Sequence, residues 1–175
     1  ALQEYFPEQE GLGALLRDRY PYSAVCRGGK RANLGLYSKI PFDREMSEAD
    51  CPSNAQGTQR TAHILVGFRL STGATFSLMT THLDWPVPIE RQREQFVAVA
   101  EAANAITGPL IVVGDFNSTP WSYAMKRFEA ATGLKRETRN LVTYPKLFTV
   151  PGRLLPLEPF LPLDHVFQRG MIVSE

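Results

Sequence analysis

The run Leu110-Ile-Val-Val113 constrains this chain more than any other stretch. Pro109 and Gly114 bound it, so four apolar residues stand between two helix breakers. That is too short for a helix and reads as a strand buried in a sheet covered on both sides. At its carboxyl end it delivers Gly114-Asp115-Phe116-Asn117, where polar residues follow directly on a buried strand.

The surrounding chain supplies partners for such a strand. Thr61 to Leu70 and Ala74 to Leu83 read as two strands joined by the turn Ser71-Thr72-Gly73. Pro88 to Ile106 reads as a helix: Ile89, Phe96, Val99, Ala100, Ala103 and Ile106 recur at helical spacing, Pro88 suits its first turn and Gly108 its stop. Glu10 to Arg19 reads as a short helix with Leu12, Leu15 and Leu16 on one face, ended by Tyr20-Pro21. Asn33 to Lys39 and Leu163 to Phe167 read as further strands, with Met171 to Val173 opening a hairpin partner for the last. Ser118 or Thr119 is expected to cap a helix starting at Pro120. Pro41 to Arg60 reads as a loop or edge insertion, and Asn140 to Pro162 as an irregular stretch with five prolines. Strands with a few helices between them predict an α/β fold with mixed sheets.

Composition narrows the function classes. With 175 residues, 43% hydrophobic and 21% charged, the chain has the make-up of one globular domain. Nineteen Lys and Arg against 18 Asp and Glu give a net charge of +1, which excludes a globally basic nucleic-acid binder and leaves room for a local basic patch. No apolar run approaches the roughly 18–20 residues of a membrane helix, and no signal or transit segment opens the sequence. Cys26 and Cys51 belong to no CxxC pair, so zinc is not indicated. Their spacing is open between a disulfide, which would imply an oxidising compartment, and two buried thiols.

Four local signals carry chemistry. Alternation along an extended chain puts Asp115 and Asn117 on one side and turns Phe116 to the core. A carboxylate and an amide so placed can orient a water and bind an anionic oxygen; a capped turn is the alternative. His82 ends a strand expected to be buried. Glu4 follows Leu2-Gln3 at a strand end. Asp164 and His165 are adjacent in Leu163-Asp-His-Val166, and as strand neighbours they point to opposite faces.

Taken in order, Leu-Gln-Glu, Thr-His-Leu, Gly-Asp-Phe-Asn and Leu-Asp-His-Val resemble the endonuclease/exonuclease/phosphatase superfamily, with its deoxyribonuclease-I-like fold. The resemblance implies a four-layered α/β sandwich of two packed mixed sheets, hydrolysing phosphoesters, phosphodiesters foremost, with Mg²⁺ or Mn²⁺. By the same resemblance Glu4 holds the metal, and His82 hydrogen-bonds the phosphate. Asp115 orients or deprotonates the attacking water, Asn117 holds a phosphoryl oxygen, and Asp164 orients a catalytic histidine. Ser118-Thr-Pro-Trp-Ser122 resembles a bacterial subgroup often attached to membrane-spanning segments.

The departures shape the expectation too. The family opens with a strand ending in a metal-binding Asn, and here the chain starts at the Glu4 strand. It closes with Ser-Asp-His, and no Ser-Asp-His occurs in these 175 residues. Residues 1–175 are therefore expected to be a single domain fragment lacking its first and its Ser-Asp-His strands, and to be weakly active or inactive alone. A membrane anchor outside the chain and a periplasmic or extracellular site are the favoured setting, with the cytoplasm as the alternative. No obligate protein partner is implied. Nucleic acid, phospholipid and small phosphate esters all remain as substrates. Arg27, Lys30 and Arg31, then Lys126 and Arg127, then Lys135, Arg136 and Arg139 form small basic clusters, expected to be solvated faces. Trp85 and the apolar stretch from Leu154 to Leu163 are expected to cover the sheet. The competing class is a non-catalytic binding module on the same fold.

Overall fold

The run at Leu110 lies in the middle of a six-stranded sheet. The computed structural model describes residues 1–28, 32–50, 62–139, 141–145, 147–151, 153–156 and 158–171. In chain order the elements are β1 (Leu2–Gln3), a 3-10 turn (Pro7–Gln9), α1 (Glu10–Arg17), β2 (Tyr22–Arg27), β3 (Asn33–Ser38), β4 (Asp43–Asp50), β5 (His63–Arg69) and β6 (Thr75–His82). Then follow α2 (Ile89–Ala105), β7 (Leu110–Asp115), α3 (Tyr123–Thr132), β8 (Lys135–Arg136), β9 (Leu147–Val150), β10 (Arg153–Pro156) and β11 (Asp164–Arg169).

The larger sheet runs β4-β5-β6-β7-β11-β8, the smaller β1-β3-β2, and β9 with β10 makes a separate hairpin. Among the described residues only β6 and β7 pair in parallel, because α2 carries the chain back between them. The pairs of the smaller sheet are antiparallel.

Two cores hold the layers together. Leu34, Leu36 and Cys26 of the small sheet meet Ile64, Val66 and Phe68 of β5 between the sheets. Leu110, Val112 and Met79 meet Phe96, Val99, Met125 and Phe128 of α2 and α3 on the far side. β5 serves both cores, which explains why His63 to Phe68 is buried without interruption. Phe116 anchors the outer core, its ring centroid 5.1 Å from that of Phe167 and 5.4 Å from that of Phe128. With α1 outside the small sheet and α2 and α3 outside the large one, there are four layers.

Several expectations change. α1 docks little through its leucines: Leu15 is 76% exposed, Leu12 is exposed too and Leu16 is half-buried. Gly13 is its buried residue, and a Cβ there would lie 2.1 Å from the Tyr5 hydroxyl, so missing bulk brings the helix in. α3 starts at Tyr123, capped by Ser122, whose Oγ accepts from the Met125 N–H at 3.1 Å. Ser118 hydrogen-bonds that same Ser122 hydroxyl at 2.8 Å and caps nothing itself. The stretch from Pro41 contains an edge strand, β4, and the proline-rich stretch contains the β9–β10 hairpin. Residues 51–61 and 172–175 lie outside the described residues, as do Lys30, Arg31 and the hairpin partner expected beyond Met171. Cys26 is fully buried and disulfide-bonded, while Cys51 is outside the described residues.

Candidate active site

The parallel pair decides where the chemistry gathers. Its register sets His82 beside Asp115, and β11 sets Asp164 on the other side of Asp115. Neighbours in one row of a sheet point to the same face. His82, Asp115 and Asp164 therefore form one row at the carboxyl ends of β6 and β7, where α/β sheets place their ligands.

The strand ends at Asp115, and the next turn brings Asn117 back to it. Asn117 has φ 45°, a left-handed conformation that asparagine tolerates. Its N–H donates to Asp115 Oδ1 at 2.8 Å. Its Nδ2 donates to the Leu83 carbonyl at 2.8 Å, which fixes the amide and puts Nδ2 3.3 Å from His82 Nε2. Asp115 Oδ2 lies 3.5 Å from that same His82 nitrogen. Phe116 turns into the core as expected. The convergence of Asp115 and Asn117 thus comes from a turn and its hydrogen bonds, not from strand alternation alone.

Exposure separates the roles. The Asp115 side chain is 24% exposed, whereas His82 is fully buried behind it. Asn117 is buried too, and its Oδ1 accepts no hydrogen bond among the described residues. Glu4 lies at the end of β1 in the small sheet, exposed and with φ 54°. Gln3 ties that end to the row, its Nε2 donating to Thr80 Oγ1 at 3.1 Å. Two of the five candidates thus touch Asp115 directly, Asp164 flanks it, and Glu4 follows β1 of the smaller sheet.

His165 belongs to the other face, as the alternation requires. Its Nε2 meets the Ser118 carbonyl at 2.8 Å and its Nδ1 meets Thr138 Oγ1 at 3.4 Å. The carbonyl can only accept, so the Nε2–H tautomer satisfies both contacts. Burial is the main cause that lowers its pKa from the usual 6.5; the Ser118 carbonyl works against that shift, Arg136 adds to it and Asp164 opposes it. The sign for stability follows. The unfolded chain takes up this proton near pH 6.5 and the fold resists it, so the contribution is present above 6.5 and is lost as the pH falls below. Urea midpoints should drop on going from pH 7.5 to 5, and the drop should be smaller in His165→Gln. Equal drops in the two proteins would contradict this.

Two buried glutamines on α2 escaped the sequence reading. Gln92 Nε2 reaches the carbonyls of Asp84 at 2.7 Å, Asn117 at 3.0 Å and Phe116 at 3.3 Å. Gln95 accepts from the Asp84 N–H at 2.7 Å and donates to its carboxylate at 3.3 Å. Together they fasten the loop after His82 to the turn after Asp115. The only signal was polar residues on the apolar stripe of a helix. Gln92→Leu keeps the bulk and removes the donor, so it should cost about 1–3 kcal/mol. An unchanged midpoint in urea would show that Gln92 anchors nothing.

Two residues of the basic clusters have partners outside the row. Arg27 stacks 4.1 Å from the Tyr5 ring centroid and donates to the Tyr5 carbonyl. Arg136 is held by Glu129 at 3.1 Å and by the Thr138 carbonyl.

The fit to a metal is a matter of donor chemistry. Among the described residues no three His, Cys, Asp or Glu side chains group as a metal cage. Magnesium needs only one or two carboxylates, with water and substrate phosphate in its other positions. The oxygen donors here, Glu4, Asp115 and Asp164, fit that kind of site and not a closed thiolate or imidazole one.

The model of the Endonuclease/Exonuclease/phosphatase family matches residues 1–173. The chain belongs to that family. A UPF0294 protein of Vibrio cholerae is 31% identical over 109 residues, 62% of this chain and 36% of the relative. The chain thus matches little more than a third of the length of such relatives. Among solved structures, sphingomyelinase C from Streptomyces griseocarneus superposes with a TM-score of 0.64 at 21% identity, covering 96% of this chain and 69% of that one. D. rerio TDP2 complexed with a single-strand DNA product gives 0.68 at 18%, covering 96% and 69%. A Staphylococcus aureus beta toxin with bound magnesium ions gives 0.64 at 13%, covering 91% and 66%. At these identities the superpositions establish the deoxyribonuclease-I-like fold of this family member.

Proposed function

We propose that the natural protein is a magnesium-dependent phosphodiesterase whose attacking water is held by Asp115. One observation carries the reading: a partly exposed carboxylate is fixed by the Asn117 N–H at one oxygen and faces the His82 imidazole with the other. A phosphodiester resists attack because its charge repels nucleophiles, so a site for it must orient water and offset negative charge.

Each residue has a task in that scheme. Asp115 accepts a proton of the water and aims its lone pair at phosphorus. His82 is fully buried, which narrows the role expected of it. It acts from behind Asp115, holding the carboxylate that takes the proton. Asn117 positions both, with its amide fixed by Leu83. Asp164, next in the row, steadies a cationic partner or proton donor on the leaving-group side. Glu4 would hold the magnesium ion, which supplies charge neutralisation at the phosphoryl oxygens.

The chain's relatives frame the substrate test, since one fold neighbour is a sphingomyelinase and another was crystallised with a DNA product. The natural full-length protein should be assayed with Mg²⁺ on a model phosphodiester, a phosphomonoester, single-stranded DNA and sphingomyelin. Turnover abolished by EDTA and restored by Mg²⁺ is the expected result. Turnover that persists in EDTA would remove the metal from the account. A folded protein inert on all four would favour the binding-module reading.

A further inference from the structure

On the far side of the Asn117 turn from Asp115, α2 and α3 diverge around a cleft of about 540 Å³. That size lies within the range of small-molecule sites. Its walls are Phe96, Phe128, Leu161 and Leu163, and the small Ala100 and Ala124 leave the space between the helices. Its inner end is the Asn117–Ser118 turn. Most polar groups at that end are engaged: Gln92 Nε2 lies within hydrogen-bond distance of three carbonyls, the Ser118 and Ser122 hydroxyls hold each other, and Asn117 Oδ1 is left as an acceptor without a hydrogen bond among the described residues. A nucleobase would therefore find few partners for its polar edge. The charge sits elsewhere. Arg93 and Arg127 are exposed lining residues, and neither meets a carboxylate among the described residues. Arg127 lies 5.7 Å from the Tyr123 ring centroid, beside the same cleft.

An apolar slot with two available guanidinium groups at its rim has one complementary shape and charge. We infer that this cleft binds the alkyl chain of an amphiphile with an anionic head, the chain between α2 and α3 and the head at Arg93 and Arg127. The inference does not depend on hydrolysis at Asp115, and its test reads binding alone.

Trp85 lines the cleft and is one of two tryptophans, the other being Trp121. In a Trp121→Phe background Trp85 is the remaining tryptophan of residues 1–175, and a Trp85→Phe control assigns the signal to it. The natural full-length protein in that background should be titrated with dodecyl phosphate below its micelle concentration. The expected result is a saturable one-site change in Trp85 emission. Shortening the chain should weaken binding about two- to fourfold per methylene. Dodecyl maltoside, with a neutral head, should bind more weakly, and Arg93→Ala with Arg127→Ala should erase that difference. Ala100→Phe should fill the slot and weaken binding at least about tenfold, the scale of a few buried methylenes. Should Ala100→Phe fail to fold, Ala131→Phe at an exposed part of the same cleft serves instead. No saturable change, no dependence on chain length, no head-group preference, or undiminished binding in the slot-filling variant would each overturn the inference. So would concentration-dependent dimerisation in sedimentation that Ala131→Phe abolishes, since a second copy of the chain would then be the occupant. Loss of hydrolysis with binding intact would count against the phosphodiesterase reading and not against this one.

Discussion

Asp115→Asn is expected to lower phosphodiester turnover by about 10²–10⁴-fold, the usual worth of a general base. The replacement is close to isosteric. Its oxygen can still accept the Asn117 N–H that Asp115 Oδ1 now takes at 2.8 Å, so the turn should survive. What disappears is the charge facing His82 Nε2 and the capacity to accept a proton from water. The effect should fall on kcat more than on KM, with a urea midpoint close to that of the parent. A variant that is folded and fully active would remove Asp115 from the mechanism.

Gly114→Ala is expected to be the most damaging small change to the fold. A Cβ at Gly114 would lie 2.0 Å from the Thr81 carbonyl oxygen and 3.0 Å from the carbon behind it. Both are backbone atoms of β6, so no rotamer relieves the clash and the strands must separate. Overpacking of this kind costs about 3 kcal/mol or more when the neighbour cannot yield. The separation would occur one position before the His82–Asp115 pair, so activity should fall with stability. Gly133→Ala is the contrast. Gly133 has φ 65° at the end of α3 and open space around it, so only backbone strain of about 1–2 kcal/mol applies. Denaturation curves for both variants check the order; a Gly133 effect equal to or larger than the Gly114 effect would contradict the packing argument.

The legible parts of this molecule were those governed by local chemistry. Leu110 to Val113 had nothing but a buried strand open to it, and β7 is that strand. The apolar stripe from Ile89 marked α2, and the Thr-His-Leu and Gly-Asp-Phe-Asn stretches marked the two ends that register brings together. Long-range effects were less legible. α1 docks through Gly13 because of where Tyr5 and Tyr37 lie, and nothing in Glu10 to Arg19 states that. Gln92 looks like a surface residue until Asp84, Phe116 and Asn117 present their carbonyls to it. The β9–β10 hairpin hides behind prolines, which sit at its margins and in its turn. His82 and Asp164 could be named from motifs, but the burial that puts His82 behind Asp115 is a property of two sheets in contact.

The central claim is that water, held by Asp115, attacks phosphorus. The most direct measurement is cleavage of a model phosphodiester by the natural full-length protein in ¹⁸O-labelled water with Mg²⁺, run beside Asp115→Asn. The account predicts label in the phosphate-bearing product and a rate that collapses in the variant. Label in the alcohol product, or cleavage undiminished by the substitution, would contradict it.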